Sequence, residues 1–493
     1  MPGAGATVPR VSEPRRGHLT LLSRAPDFRL LFVATAGSAV GTYLAATVLT
    51  LRMYHLTHSG RWVAGLLIAD FLPIVVIGLG LGPLIDRLRR KRLMVVSDLV
   101  RSAVFCLLPF VDRPGAIIGL AAISGVATGF FRPAVYAGLP NLVEGDDDLT
   151  EANSLLGAAE NVSWMVGPIV AGVVYTAFGV TPAFLLNAAT FLLSALLVSR
   201  IPGNRLQSDA PLTRGHWRDV ADGIGLVLRT PQLRTVLIVW NVVIAGNAAL
   251  NVGEIFLAQK SLHGGNVGYA LLVGATGAGL VLGSLASPFV MGQIGLRRLY
   301  PAAILIMAVG AVAASRAPSV WVAAPLAAFM TVGNAIAIVC NQLLVQRGAE
   351  DAMRGRAIAV LMSSTYITLA IGMGITGTLA NEYGGRALWA GAGALYLFAS
   401  VVAGILVAAL PRSADSPASH EVIEVEPPDP AETEGPAIAV AYASAQLDAR
   451  LVSPTGQSPF ERIRSLLDEV DQTRQAEAER TRAAGRAGTP GHA

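Results

Sequence analysis

The chain has 493 residues, of which 53% are hydrophobic and only 14% are charged, and its formal net charge is +4. Soluble globular chains carry roughly 25% charged residues, so this composition excludes an ordinary soluble domain. The two cysteines fall inside apolar runs, and the sequence has neither a Cys/His cluster nor a Gly-rich phosphate-binding loop with its lysine. We therefore expect no disulfide framework, no metal or other cofactor, no nucleic-acid partner and no enzymatic activity.

Apolar runs long enough to cross a membrane begin near residue 28 and recur as far as residue 411. A bilayer span needs about 20 apolar residues, and in lipid a helix satisfies its own backbone groups. The sequence therefore predicts an all-α membrane protein with twelve transmembrane helices, preceded by an Arg-rich cytoplasmic segment at 1–27. In chain order the predicted spans are 28–55, 62–83, 92–111, 115–137, 151–178, 181–201, 231–259, 266–293, 297–315, 318–342, 355–380 and 385–411.

The spans divide into two sets of six, at 28–201 and 231–411, which a polar cytoplasmic loop at 202–230 connects. An internal repeat with an offset of about 205 residues supports this division, since it maps Gly41 onto Gly246. We therefore predict two pseudo-symmetric six-helix bundles. Halves related in this way place a substrate site at their interface, near the bilayer midplane. Two further pairs at this offset are Pro83 with Pro288 and Arg92 with Arg297.

Basic residues cluster at alternate ends of the predicted spans. In membrane proteins an excess of Lys and Arg marks the cytoplasmic loops. We therefore expect a multi-pass protein of the cytoplasmic membrane, with the Arg-rich ends of its spans and both termini in the cytoplasm. The Arg-rich ends carry Arg87, Arg89, Arg90, Lys91, Arg92, Arg205, Arg214, Arg218, Arg229, Arg234, Arg297, Arg298, Arg347, Arg354 and Arg356. The opposite ends carry Arg61, Arg113, Lys260, Arg316 and Arg386.

Residues 412–493 are predicted to form a cytoplasmic tail, and 413–493 contain 14 acidic and 7 basic side chains. The first part of the tail is rich in Pro, Glu and Ser, which is typical of disorder. Apolar residues at helical spacing predict a short amphipathic helix at 459–483. Two interpretations of that helix stay open: it docks on a partner, or it is a marginal helix with none.

A dense basic turn separates the second and third spans. It reads Gly82-Pro-Leu-Ile-Asp86-Arg87-Leu-Arg89-Arg90-Lys91-Arg92. The pattern Gly-x-x-x-Asp-x-x-Arg-Arg-Lys resembles the signature of the major facilitator superfamily at this place, with Arg89 where glycine is more common. The resemblance implies the major facilitator fold.

Further stretches resemble the macrolide-efflux and siderophore-exporter branch of that superfamily, which contains drug:proton antiporters. The likeness covers about residues 20–411 and is stronger in the first half. In the second half Met291 stands where an acid equivalent to Asp86 would map. The matching stretches include Phe28-Arg-Leu-Leu, Ser97-Asp98-Leu-Val-Arg101, Phe131-Arg132-Pro133, Glu151-Ala152-Asn153-Ser154 and Gly167-Pro168-x-x-x-Gly172.

The resemblance implies that the basic turn is a gate. In the family, the position of Asp86 faces the beginning of span 11, here the turn around Gly355, when the protein is open outward, and breaking the contact permits the inward-open state. A carboxylate is favoured at a helix N-terminus, where free amides carry partial positive charge. Arg90 is expected to pair with an acid such as Glu144 or Asp98. The alternative is that the turn only sets the orientation of the chain. The gating residues under this hypothesis are Gly82, Asp86, Arg87, Arg89, Arg90, Lys91 and Gly355.

Ionisable residues inside spans are costly in lipid, and they usually face a cavity or a partner. A carboxylate that alternates between burial and a cationic partner can take up and release a proton. Asp70 and Glu160 are our preferred proton-coupling residues, with structural ion pairing as the alternative for each. Asp98 and Arg101 lie three residues apart on one helical face and are expected to form a structural pair.

Two more ionisable residues are candidates for proton or substrate binding. Arg132 is expected either to form an ion pair or to bind an anionic substrate. Glu254 lies near the outer end of span 7, where simple hydration is the alternative. Polar and aromatic residues that could line the cavity are Tyr43, Trp164, Trp240, Asn241, Asn247, Asn251, Asn334, Asn341 and Tyr366.

Span 5 contains Gly167-Pro168-x-x-x-Gly172. Proline removes a helix hydrogen bond and glycines permit close approach, which predicts a kinked and tightly packed helix. In the superfamily this motif is associated with exporters of the antiporter type, and a generic kink is the alternative.

These features predict a secondary active transporter that exports a small amphipathic compound by proton antiport and alternating access. The substrate class could be a drug, a secondary metabolite or a siderophore, and the protein is expected to be monomeric. One alternative is an importer or uniporter with the same fold. Another is a membrane sensor or scaffold that acts through the tail and transports nothing.

Overall fold

A computed structural model describes residues 20–80, 88–207, 216–349 and 351–410. Several predicted features lie outside this part of the chain. They are Gly82, Asp86 and Arg87 of the basic turn, most of the N-terminal segment, and the tail with its helix at 459–483.

The described residues are almost entirely helical, and no strand occurs among them. Eleven of their helices are long and apolar enough to cross a membrane. The helices are α1 (Thr20–Arg24), α2 (Pro26–Thr57), α3 (Gly60–Gly80), α4 (Arg90–Leu107), α5 (Pro114–Gly138), α6 (Gly145–Phe178), α7 (Val180–Arg200), α8 (His216–Arg229), α9 (Pro231–Phe256), α10 (Gly265–Ile294), α11 (Leu296–Arg316), α12 (Val320–Gly348) and α13 (Asp351–Ala408). Short 3₁₀ turns follow α4, α5 and α7, and a π-helical turn at Leu257–Ser261 follows α9.

The last two predicted spans form one 58-residue helix, α13, which is interrupted at Gly384. There the backbone has φ 70° and ψ 176°, a conformation that only glycine adopts without strain. The break leaves segments at 351–383 and 385–408, and each is long enough to cross a bilayer. The predicted boundary at 380–385 thus agrees with the position of the break, and the count of twelve spans stays a prediction.

Two predicted loops are wrong in part. The polar loop at 202–230 contains helix α8, which ends one residue before α9 begins. The acidic turn at 139–150 is partly helical, because α6 begins at Gly145. Asp147 and Asp148 therefore lie in the first turn of a helix, where negative charge is favoured.

The helices form two groups that follow the internal repeat. Within α2–α7, α2 packs on α6 and α7, while α4 packs on α5 and α7; within α9–α13, α9 packs on α13, while α11 packs on α12 and α13. Similar contacts occur at nearby positions of the repeat. Lys91 at the start of α4 donates to the Ile201 carbonyl after α7 (2.7 Å), and Arg297 at the start of α11 donates to the Leu410 carbonyl after α13.

The two groups meet along two helix pairs, α6 with α10 and α3 with α13. Contacts between the two groups occur at the end of the bundle that lies opposite the basic turn. There the Gly60 amide donates to the Asn381 side-chain oxygen (2.9 Å), and the His55 Nε2 lies 2.9 Å from the Asn266 Oδ1. We call this the Arg-poor end, and the end with Arg89, Arg92 and Arg354 the Arg-rich end.

The second group is held by large buried side chains, and the hydroxyl groups of its two buried tyrosines are hydrogen-bonded. Tyr300, Trp389 and Tyr396 are each at most 1% exposed. The Tyr300 hydroxyl donates to the Asn341 side chain at 2.7 Å, and the Tyr396 hydroxyl donates to Asn247 at 2.6 Å. A buried hydroxyl that keeps its hydrogen bond avoids the cost of an unmet polar group. Asn247 and Asn341, predicted as cavity residues, are therefore part of the packing.

Candidate functional site

A cavity of about 220 Å³ lies among α2, α3, α4, α5 and α6. Four of the six predicted proton or substrate residues, Asp70, Arg101, Arg132 and Glu160, line it. The remaining wall is mainly apolar, with some hydroxyl groups. The residues that line this cavity all belong to the first half of the chain, whereas the repeat predicts a site at the interface of the two halves.

Arg132 on α5 and Glu160 on α6 form an ion pair across the cavity. The Tyr43 hydroxyl of α2 adds a contact of 3.4 Å to the same carboxylate. The Arg132 and Glu160 side chains are 49% and 31% exposed, so the pair is hydrated and contributes at most about 1 kcal/mol to stability. A pair this weak can open and close at little cost. Of the two roles predicted for Arg132, the structure shows ion pairing.

Asp70 lies on α3 and faces the cavity. Among the side chains that the structure describes, none forms a hydrogen bond or ion pair with its carboxylate. It sits where α3 and α5 approach closely: a Cβ at Gly125 would overlap the Asp70 carbonyl. A carboxylate without a cationic partner inside a membrane bundle is costly, and it marks a site for a proton or a cationic group.

Asp98 and Arg101 form a buried ion pair on α4, with exposures of 0% and 4%. The Ser194 hydroxyl donates to the second Asp98 oxygen at 2.7 Å. The Arg101 guanidinium lies between two rings, 4.4 Å from the centroid of Phe131 and 4.2 Å from that of Phe191. The pairing agrees with the three-residue spacing. Because the pair is enclosed by aromatic rings and a hydroxyl, we interpret it as structural.

Aromatic rings flank the ion pair of the cavity. The Tyr43 and Trp164 rings stack at a centroid distance of 5.8 Å and an interplanar angle of 7°. Phe131 and Tyr136 of α5 also line the cavity. Rings beside a few charged groups suit a ligand that is partly apolar and partly polar. The sequence interpretation missed Phe131 and Tyr136 as cavity residues, although both lie close to Arg132 in sequence.

The Gly167-Pro168-x-x-x-Gly172 motif lies inside α6 and contacts both halves. A Cβ at Gly167 would meet the Tyr43 Cβ at 2.7 Å, so this glycine lets α6 approach α2. A Cβ at Gly172 would meet the Ala270 Cβ at 2.5 Å, so the second glycine lets α6 approach α10. The motif therefore sets the packing beside the cavity and along the seam between the halves.

The seam between α6 and α10 continues past the motif. A Cβ at Gly277 of α10 would lie 2.8 Å from the Met165 backbone nitrogen and Cα. A Cβ at Gly274 would lie 2.6 Å from the Ile169 side chain. Two glycines on α10 thus face α6 within one helical turn, which allows close backbone contact between the halves.

The described part of the basic turn makes no ion pair of the predicted kind. The Arg90 guanidinium donates to the backbone carbonyls of Ala137 (2.9 Å) and Leu206 (3.1 Å). In the conformation described, carbonyls of α5 and of the segment after α7 occupy the guanidinium, and the pairing of Arg90 with Glu144 or Asp98 in the opposite conformation stays a prediction.

The rest of the predicted gate is divided between described and undescribed residues. Arg89 is exposed just before α4, and Lys91 bonds the Ile201 carbonyl. Gly355 is exposed in the first turns of α13, with open space where a Cβ would be. Since Asp86 lies outside the described residues, its contact with Gly355 stays a prediction.

Glu254 is apart from the cavity, on α9 in the second half. One of its buried carboxylate oxygens has no hydrogen-bond partner among the described residues. The nearby Tyr269 of α10 interacts with Thr50 of α2. The structure thus places Glu254 near the point where α9 and α10 of the second half meet α2 of the first half.

A larger cavity of about 430 Å³ lies between α9 and α13, and its wall is almost wholly apolar. Asn241, another predicted cavity residue, is outside it and bonds Ser364 and Thr368 of α13. The cavity of the first half is the better candidate site, because only there do charged groups converge.

Residues 21–440 match a family described as transmembrane secretion effector. The multidrug efflux pump Tap of Mycolicibacterium fortuitum is 26% identical over 387 residues, which cover 74% of this chain and 92% of that protein. Macrolide efflux protein A of Streptococcus pyogenes is 24% identical over 262 residues, which cover 51% of this chain and 64% of that protein.

Solved structures show the same fold. The POT family transporter PepTSo superposes with a TM-score of 0.64 at 10% identity, covering 78% of this chain and 98% of that one. A bacterial homologue of the iron transporter ferroportin superposes with a TM-score of 0.60 at 16% identity, covering 80% and 100%. The predicted major facilitator fold and the resemblance to efflux proteins are confirmed. The chain is a multi-pass membrane transporter of small molecules and belongs to the transmembrane secretion effector family of the major facilitator superfamily.

Proposed function

We propose that the protein exports a small amphipathic organic compound across the cytoplasmic membrane by proton antiport. The observation that carries this proposal is the cavity among α2–α6, in which an unpaired carboxylate and a hydrated ion pair face a mostly apolar wall. The relatives named as efflux proteins support the outward direction. In this proposal the protein works as a monomer, with both termini in the cytoplasm.

Asp70 is the proposed primary proton site. Inside the bundle its carboxylate is stable only when it is protonated or opposed by a cation, because no described side chain neutralises it. Proton binding and the binding of a basic substrate group therefore compete for one position. Such competition is the physical requirement for exchanging a proton against a substrate.

Glu160 is the proposed second carrier, and Arg132 controls it. In the structure Arg132 holds Glu160 as a carboxylate. If the pair opens when substrate enters, Glu160 can take up a proton and Arg132 can contact an acceptor of the substrate. The Tyr43–Trp164 stack beside the pair offers a flat apolar surface for the rest of the molecule.

Alternating access in this proposal uses the seams between the halves. The α6–α10 seam and the contacts of α3 with α13 define the conformation described above. The opposite conformation requires those seams to separate at the Arg-poor end. Docking of Asp86 at the turn of Gly355 is the proposed latch at the Arg-rich end.

The test uses everted membrane vesicles and a panel of fluorescent amphipathic compounds. An imposed proton gradient drives uptake into such vesicles if the protein exports by proton exchange. We expect Asp70→Asn to abolish gradient-driven uptake while leaving expression and thermal stability unchanged, since the amide replaces a carboxylate without described partners. Glu160→Gln should reduce uptake, and Glu382→Gln, a change at an exposed acid of the Arg-poor end, should not.

The outcomes separate the alternatives. Full uptake by Asp70→Asn and Glu160→Gln would refute the proton sites. Substrate movement in the opposite direction would favour an importer or uniporter. A chain without residues 413–493 should keep most of its transport activity, whereas a sensor or scaffold that works through the tail would lose its function.

A further inference from the structure

Helix α8 (His216–Arg229) lies between the two halves in sequence and packs on the second half, against α13 and α9. Val227 is fully buried, and a Cβ at Gly223 would lie 2.9 Å from the Arg356 carbonyl and 3.1 Å from the Val360 side chain. Asp222 adds an ion pair to Arg356 at 3.5 Å. The helix is therefore seated on the first turns of α13.

The seat lies before an exposed apolar surface of α13. Arg356, Val360, Ile367 and Ile371 share one face, since they are spaced by four, seven and four residues. Ile367 and Ile371 are 60% and 59% exposed, as side chains that face lipid are expected to be. At 1.5 Å per residue, roughly 10 Å of helix separates Val360 from Ile367. If these exposed isoleucines contact lipid, the axis of α8 lies near the boundary between headgroups and acyl chains.

A second apolar face of α8 is uncovered. Ile224 is 45% exposed and Leu228 is 52% exposed, one turn apart. They lie about 100° around the helix from Gly223 and Val227, which face the protein. Asp222 is exposed on the opposite side of the helix. The helix thus has a protein face, an apolar face continuous with the lipid belt, and a water face.

Two cations lie at the C-terminal end of α8, close to Leu228 in sequence. Arg229 ends α8, and Arg234 lies in the first turn of α9, after the single linking residue Thr230. Both side chains are exposed, and no described acid pairs with either. An amphipathic helix with exposed aliphatic residues and neighbouring arginines fits an anionic membrane surface.

We propose that α8 is an interfacial helix: Ile224 and Leu228 insert below the lipid headgroups, and Arg229 and Arg234 bind anionic phospholipid headgroups. The partner is the membrane that surrounds the protein, so this inference needs only the membrane-embedded fold. It goes beyond the export proposal and stands or falls separately from it.

The first experiment measures the depth of α8 in the bilayer. The background is a full-length Cys-free chain (Cys106→Ser, Cys340→Ala) that is reconstituted in nanodiscs. One sample carries a spin label at Leu228→Cys, and the control sample carries it at Asp222→Cys. We expect collisions with oxygen to dominate at 228 and collisions with a water-soluble nickel chelate to dominate at 222. Equal access of the chelate to both labels would overturn the proposal. Low collision rates at 228 with both oxygen and the chelate would show that protein covers it, which also overturns the proposal.

The second experiment tests headgroup binding. Native mass spectrometry counts the phosphatidylglycerol molecules that the protein retains from vesicles containing phosphatidylglycerol and phosphatidylcholine. An arginine near an anionic surface contributes roughly fivefold in affinity, so R229Q/R234Q should weaken retention by about 25-fold. The matched control R61Q/R113Q removes two exposed arginines at the Arg-poor end and should not weaken it. Equal loss in both variants, or loss in neither, would overturn the anionic-lipid site.

Discussion

The glycines of α10 offer a graded test of the seam between the halves. A single methyl group at Gly277 would lie 2.8 Å from the Met165 backbone, while ordinary contact begins at 3.4 Å. Backbone cannot rotate away as a side chain can, so the two helices must separate. At Gly274 the nearest atom, at 2.6 Å, belongs to the Ile169 side chain, which can move. At Gly292, on the same helix, nothing lies within 4 Å.

The magnitude follows from the overlap. Overpacking a tight contact costs about 1–3 kcal/mol. If the seam opens during transport, this cost falls only on the conformation described here and shifts the conformational equilibrium about 5- to 150-fold. We expect Gly277→Ala to produce the largest shift, Gly274→Ala a smaller one, and Gly292→Ala none.

The assay is a distance measurement between the halves. Spin labels at Arg61→Cys of α3 and Glu382→Cys of α13, both exposed at the Arg-poor end, report the separation of the two helices in nanodiscs. The short-distance population should decrease most in Gly277→Ala and less in Gly274→Ala. In Gly292→Ala it should equal that of the parent protein. Identical distance distributions in all three variants, with normal folding, would refute the claim that this seam opens.

Three other expectations can be measured directly. Asp98→Ala should lower the free energy of unfolding by about 3–5 kcal/mol in detergent, because it leaves the buried Arg101 without its counter-charge. The double variant Asp98→Leu with Arg101→Met should recover part of that loss. An unchanged melting temperature in Asp98→Ala would contradict the prediction. Asn381→Ala should weaken contact between α3 and α13 by about 1 kcal/mol, seen as a smaller short-distance population in the same spin-label assay. In a Cys-free chain, an impermeant thiol reagent should label Arg92→Cys only from the cytoplasmic side and Arg113→Cys only from the outside; labelling of both from one side would disprove the orientation.

The sequence by itself determined the spans of this protein. Apolar runs gave helix ends to within six residues, from Leu296–Arg316 for the run at 297–315 to Val320–Gly348 for the run at 318–342. The reason is local: each run must satisfy its backbone within itself in lipid. The same holds for Asp98 with Arg101, whose spacing on one helix brings them together.

One local signal was present in the sequence and was missed. Ile224, Val227 and Leu228 recur at helical spacing inside the loop predicted at 202–230. The hydropathy of the whole segment is low because charged residues interrupt it, so a search for long apolar runs passes over it. Its periodicity predicts the amphipathic helix α8.

Only the tertiary structure decided which side chains meet across helices. Arg132 and Glu160 lie on different helices, and no spacing rule selects that pair over the predicted alternatives. Arg90 shows the same point, because backbone carbonyls of α5 and of the segment after α7 occupy its guanidinium in the conformation described. Helix periodicity fixes the face of a helix on which a residue lies. The packing of whole helices decides which face of a neighbouring helix that residue contacts, and close contacts such as the one at Gly277 set this packing.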